Sequence, residues 1–122
     1  MTTCLFCRIA QKQIPATIVY EDESALAFRD LSPQAPTHVL VIPKAHIATL
    51  NDMTPDDETV MGRLFTVAAR VAHAEGVAES GYRTVMNCNR DGGQSVYHVH
   101  LHVLGGRAMG WPPFGRGVAG AP

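Results

Sequence analysis

The sequence predicts a single α+β domain, a mainly antiparallel sheet of about five strands covered by one long helix and accompanied by one or two short ones. Three observations carry that expectation. Short runs rich in β-formers alternate with polar turns that bear glycine or proline. One segment repeats its apolar residues at spacings of three and four. The 122 residues, 46% hydrophobic and 17% charged, contain no internal repeat or linker, which fits one core rather than two.

Taken in order, Leu5 to Gln13 reads as a short helix that ends before Pro15. Thr17 to Glu21 and Ala25 to Asp30 read as two strands of a hairpin closed by Asp22, Glu23 and Ser24. His38 to Ile42 is an apolar strand bounded by Pro36 and Pro43, residues that sit poorly inside a central ladder. The long helix starts at Thr54, with Pro55 at its first position and Asp56, Asp57 and Glu58 where acids suit the helix dipole. Met61, Leu64, Phe65, Ala68, Val71 and Ala72 form its expected buried stripe, and Gly76 its stop. Tyr82 to Asn89 and Ser95 to Leu104 are the last two strands, joined by a turn at Asp91-Gly92-Gly93-Gln94. Residues 1–113 form the domain, and 114–122 are expected to be a flexible tail.

Ten Lys plus Arg against eleven Asp plus Glu provide no basic field for a nucleic-acid backbone. No stretch approaches the roughly twenty apolar residues that would span a bilayer, and the N-terminus carries no secretory pattern. Three cysteines, an odd number, suit free thiols in a reducing cytoplasm better than a disulfide framework.

The chemistry concentrates in His98-Val99-His100-Leu101-His102. On a strand the three imidazoles would share one face, with Val99, Leu101 and Val103 on the other. Their spacing of about 6.6 Å would set the outer pair about 13 Å apart, so no single zinc with nitrogens at about 2.0 Å could take all three. Two of them with a third ligand from elsewhere could hold a metal, and a solvent-facing row without chemistry is the plain alternative. Imidazole, with an ordinary pKa of about 6.5, offers a neutral nucleophilic nitrogen at cellular pH and a donor once charged, which suits reactions at phosphorus. Backbone N–H groups around Gly93, Gln94 and Ser95 could approach a phosphate closely.

His98-Val-His-Leu-His-Val-Leu104 matches the His-x-His-x-His-x-x pattern, x apolar, of the histidine-triad superfamily. The flanks Leu31-Ser-Pro-Gln-Ala-Pro-Thr-His38, Val41-Ile-Pro-Lys44, Asp91-Gly-Gly-Gln-Ser-Val-Tyr97, Leu104-Gly-Gly-Arg107 and Trp111-Pro-Pro113 resemble its HINT branch. The likeness runs from Cys4 to Pro113. It implies a dimerising HIT-like fold and a homodimeric hydrolase of purine nucleoside 5′-phosphoramidates, with AMP, GMP or their phosphoramidates as ligands and no cofactor required for catalysis. By position, the resemblance makes His100 the nucleophile that forms a nucleotidyl-histidine. His38, His98 and His102 complete the imidazole set, and Ser95 bonds the leaving group. Asn87 contacts the phosphate region, Gly93, Gln94, Ser95, Val96 and Trp111 complete the nucleotide-binding set, Asp30 accepts the ribose hydroxyls, and Phe6, Ile9, Phe28 and Leu31 wall the base pocket. Trp111 lies in a tail expected to reach the other subunit's site; packing back on its own domain is the alternative.

Cys4-x-x-Cys7 has the spacing of a zinc half-site, a redox pair or two idle thiols. Relatives in the superfamily complete such a pair with a histidine after the Val-Ile-Pro-Lys run and with the first triad histidine, which implies a structural zinc on Cys4, Cys7, His46 and His98. The pair departs from most of the HINT branch, and it gives His98 two competing roles. Cys88 is expected to be an ordinary buried thiol. Dinucleoside polyphosphate hydrolysis and nucleotide sensing with incidental catalysis are the other functions such a site would support, though relatives that transfer nucleotidyl groups carry glutamine where His102 stands.

Overall fold

The computed structural model describes residues 2–114. The tail expected at 114–122 therefore lies, from residue 115 onward, outside the described residues. Five antiparallel strands form one sheet in the order β1-β2-β3-β5-β4. They are β1 (Ile18–Glu21), β2 (Ala25–Arg29), β3 (Thr37–Pro43), β4 (Tyr82–Val85) and β5 (Leu101–Gly105). Helix α1 (Leu5–Ala10) precedes β1, α2 (Glu58–Ala74) joins β3 to β4 after two single-turn 3-10 segments, and α3 (Asn89–Gly92) lies between β4 and β5.

Both faces of the sheet are covered, which is why β3 is buried at every residue and reads as a continuous apolar run. Val39 and Val41 of β3, with Ala25, Ala27, Leu101 and Val103, pack against Leu64, Val67, Ala68 and Val71 of α2. The alternate residues Leu26, Phe28, Leu40 and Ile42 face Phe6 and Ile9 of α1. Val39 stands opposite Val103 and Leu40 opposite His102, so His38, Leu40 and His102 share the α1 face. Pro43 is tolerated at the end of β3 because it pairs with Ala25 alone, β5 having stopped opposite Val41.

The helix expected from Thr54 opens instead as a single 3-10 turn, Pro55–Asp57, with the Asp57 carboxylate accepting from the Thr54 N–H at 3.0 Å, and α2 itself starts at Glu58. Gly76, at φ +77°, follows its end. The stripe differs from expectation at one residue: Phe65 is 51% exposed, and Val67 is buried in its place. Phe65 lies about 100° around the helix from Leu64 and so falls on the flank of the packed face.

The last hairpin also differs. The expected strands Tyr82 to Asn89 and Ser95 to Leu104 contract to β4 and β5, and the Asp91-to-Gln94 turn is replaced by α3, capped by Gly93 at φ +83°. Its end is a paired motif in which Gln94 N–H donates to Asn89 O and Gly93 N–H to Arg90 O, both at 3.0 Å. The buried Gln94 amide then bonds Ala48 O, Val96 O and the Asn89 N–H, supplying the segment with partners that a ladder would otherwise provide. Consequently His98 and His100 precede β5, tied to the neighbouring loop by Val99 N–H to Ile47 O at 2.8 Å, and only His102 is in the ladder.

Candidate active site

Between α1, the ends of β2 and β3 and the segment before β5 lies a cavity of about 290 Å³, near the small end of ligand pockets. Of the residues singled out from the sequence, Phe6, Ile9, Phe28, Asp30, Leu31, Ser95, Val96, His100 and His102 line it. Ile14, Pro15, Ala16 and Leu40 also line it and were not singled out; their apolar character alone could not separate pocket wall from core. Asn87, Gly93, Gln94 and Trp111 are absent from its lining. Gln94 is occupied in holding the loop, and the Trp111 side chain is 82% exposed.

The hydrogen-bond pattern orders the histidines. His100 Nδ1–H donates to the carbonyl of His98 at 2.8 Å, so the neutral ring keeps a lone pair on Nε2. Gln34 N–H donates to His38 Nδ1 at 3.0 Å, which puts the proton of neutral His38 on Nε2. That proton is donated to His102 Nδ1 at 2.9 Å, leaving the His102 proton on Nε2. His102 Nε2 is buried and has no protein partner among the described residues. The Gln34 contribution was invisible in the sequence, because a backbone N–H donates whatever the side chain.

Burial disfavours the charged form of each ring. It lowers His38, partly countered by the Asp30 carboxylate, and lowers His100, partly countered by the bond to the His98 carbonyl. It pushes His102 down to about 4, with help from neighbouring His100 and His38. At neutral pH the row therefore consists of neutral imidazoles. Asp30 Oδ2 sits 3.5 Å from His38 Nε2, while Oδ1 accepts the Ser32 N–H at 2.8 Å, so the carboxylate is both a turn residue and a site residue.

His98 does not line the cavity. Its Nε2–H donates to Pro43 O at 2.8 Å, and Nδ1 points to a possible metal-binding cluster of Cys4, Cys7, His46 and His98. The His98 Nδ1 atom lies 3.4 Å from Cys4 Sγ, 3.5 Å from Cys7 Sγ and 3.3 Å from His46 Nδ1, and the last atom is 3.3 Å from Cys7 Sγ. All four residues expected from the sequence are thus together. Cys88 is outside the cluster and half-buried rather than buried. Asp30, His38 and His102 also converge within 4.8 Å, but the Gln34 N–H on His38 Nδ1 holds that ring in the tautomer whose Nε2 is protonated and unable to ligate.

The chain is similar in sequence and fold to known proteins. The HIT domain matches residues 11–109. The purine nucleoside phosphoramidase of Escherichia coli K12 is 55% identical over 106 residues, 87% of this chain and 89% of that protein. The crystal structure of a HIT family hydrolase from Legionella pneumophila is 59% identical, with a TM-score of 0.89 over 91% of this chain and 99% of that one. A histidine triad protein from Clostridium difficile superposes with a TM-score of 0.87 at 41% identity, covering 90% of this chain and 96% of that one. By the extent of the domain match and the identity to these relatives, the chain belongs to the HIT domain family.

Proposed function

We propose that this HIT family hydrolase cleaves the P–N bond of purine nucleoside 5′-phosphoramidates through a nucleotidyl-histidine at His100. The observation that carries the reading is the His100 ring, kept neutral by burial, its Nδ1–H committed to the His98 carbonyl and its Nε2 lone pair available on a residue that lines the cavity. The substrate class is supported by the Escherichia coli relative that bears that name.

In the first step Nε2 attacks phosphorus, an N–P bond forms to His100 and makes it a nucleotidyl-imidazolium, and the bond to the amine breaks as the amine takes up a proton from solvent water. Ser95, on the cavity wall, is the hydrogen-bond partner for the leaving group, and His102 Nε2–H is the donor for a phosphoryl oxygen. Asp30 accepts the ribose hydroxyls, while Phe6, Ile9, Phe28 and Leu31 receive the purine. In the second step water attacks phosphorus and gives up a proton to solvent, the N–P bond to His100 breaks, and AMP or GMP leaves with His100 neutral again. His98 enters through its backbone carbonyl rather than as a proton carrier, because its ring is committed to the cysteine cluster. The test is rapid quenching during turnover followed by mass spectrometry. A nucleotide adduct on the peptide containing His100, absent from a His100→Ala variant that still binds AMP, is expected; full activity of that variant would refute the role. Rates on diadenosine polyphosphates measured alongside separate this reading from polyphosphate hydrolysis.

The cysteine cluster fits a structural zinc. A tetrahedral ion with Zn–S of about 2.3 Å and Zn–N of about 2.0 Å has ligand-to-ligand edges of about 3.3 to 3.8 Å, and four edges here measure 3.3 to 3.5 Å. The Pro43 carbonyl fixes the His98 tautomer that leaves Nδ1 free to ligate. With these four residues as ligands a bound zinc would be left no open position and would supply a cross-link rather than a reactive water. A homodimer is inferred from β4, a sheet edge with an unpaired side among the described residues, and from the exposed Trp111 and Phe114. Light scattering at the mass of one chain would overturn it. The three free cysteines fit a reducing cytoplasm.

A further inference from the structure

The cysteine cluster and the nucleotide cavity are joined at three points, the second of them carried by the first. The first is α1. Cys4 caps this helix and Cys7 lies within it, while Leu5, Phe6 and Ile9 between and beside them line the cavity. Six residues are too few to hold a helix by themselves. Its cap is weak too, a sulfur accepting the Cys7 N–H at 3.3 Å where an oxygen is preferred. The position of α1 is therefore set by what grips its cysteines and by what its apolar face packs on.

The second is Phe6, whose ring meets the nucleophile His100 edge-on, centroids 5.0 Å apart and planes at 90°, and meets Phe28 at 5.4 Å. The third is His98. Its ring belongs to the cluster, and its backbone carbonyl holds His100 Nδ1. A displacement of either α1 or residue 98 is felt at the same imidazole. The cluster also has an accessible side, since His46 is exposed and lines, with Cys4, Ser95 and Val96, an open groove next to the cavity.

We propose that the Cys4, Cys7, His46 and His98 cluster is a positioning site for the nucleophile and the base wall, so that metal and purine nucleotide bind this chain with positive coupling. The inference rests on the metal reading above and goes beyond it. A cross-link remote from the site would stabilise the fold and leave nucleotide affinity alone. A metal that fixes α1 and residue 98 lowers the cost of ordering the cavity, and thermodynamic reciprocity then requires nucleotide to tighten the metal by the same factor.

The experiment uses the whole protein, stripped of metal and titrated with zinc against a chromophoric chelator, with and without saturating AMP. AMP affinity is measured in parallel by calorimetry on the stripped and zinc-loaded protein. One zinc per chain is expected, with each ligand tightening the other by about 5- to 20-fold, within the usual range of coupled sites. Cys7→Ser should remove the tight zinc and leave AMP affinity at the stripped-protein value whether zinc is added or not. Phe6→Leu, which keeps the cluster, should bind zinc like the parent in the absence of AMP and show a smaller coupling factor. Tight zinc binding with no change in either affinity overturns the positioning role while leaving the metal site standing. Absence of tight zinc binding overturns the metal site and this inference with it.

Discussion

Replacing His38 with phenylalanine keeps the ring volume and removes both of its hydrogen bonds. His38 accepts from Gln34 N–H at 3.0 Å and donates to His102 Nδ1 at 2.9 Å, and its residue is only 5% exposed. The variant leaves one backbone donor and one ring acceptor without their protein partners. Each such orphan costs about 1–3 kcal/mol, and the Gln34 loop can recover part by turning its N–H to solvent, so the expected loss of stability is about 2–4 kcal/mol. The functional loss has a different origin. Without the His38 proton, neutral His102 is free to place its own proton on either nitrogen, and the Nε2–H proposed to bond a phosphoryl oxygen is no longer enforced. Correct placement of a proton is worth about 10²–10⁴-fold, so kcat on adenosine 5′-phosphoramidate should fall by about 10²-fold or more. Urea unfolding followed by far-UV circular dichroism gives the first quantity, and initial rates at saturating substrate in the folded range give the second. His38→Phe with parental stability and kcat would refute the tautomer chain.

Other outcomes follow from the same structure. The folded pKa of His102, about 4, lies below its ordinary value of 6.5, so the unfolded chain binds more protons between those limits and stability must fall as pH drops from about 6.5 towards 4. Solvent screening of this half-buried ring reduces the effect below the roughly 3 kcal/mol that the full shift would give, and His38 acts in the same direction. Denaturant midpoints that rise on acidification through this window would contradict it. Asp30→Ala should raise KM for nucleoside phosphoramidates far more than it lowers kcat, if ribose hydroxyls are its partners; comparison with a 2′-deoxy substrate, for which the penalty should shrink, checks the assignment. Leu64→Ala, at a fully buried position, should cost about 2–5 kcal/mol, whereas Phe65→Ala at its exposed neighbour should stay within about 0.5 kcal/mol. A large loss at Phe65 in urea unfolding would instead point to a covered face.

The sequence by itself determined the elements whose signals are local. The hairpin around Asp22 to Ser24, the helical turn opened at Thr54-Pro55 ahead of α2, the stop at Gly76 and the continuous apolar run of β3 each depend on a few neighbouring side chains and were legible. So was the inventory of chemistry, since three histidines in five residues and a Cys-x-x-Cys pair name their own residue types. The tertiary structure alone decided how those groups are divided. His98 and His100 look alike in sequence, but the ring of the first faces Cys4 and Cys7 while the second lines the cavity. The cause is non-local: β5 begins only at Leu101, and the preceding segment is held by Ile47 and by the Gln94 amide, contacts with partners tens of residues away in the chain or inside an irregular loop. Phe65 and Val67 differ in burial for a similar reason, because the packed face of α2 is set by where β3 and β5 meet it. The tautomers are the extreme case. They depend on the carbonyl of His98, the carbonyl of Pro43 and the N–H of Gln34, backbone groups common to every sequence, whose positions exist only once the chain has folded.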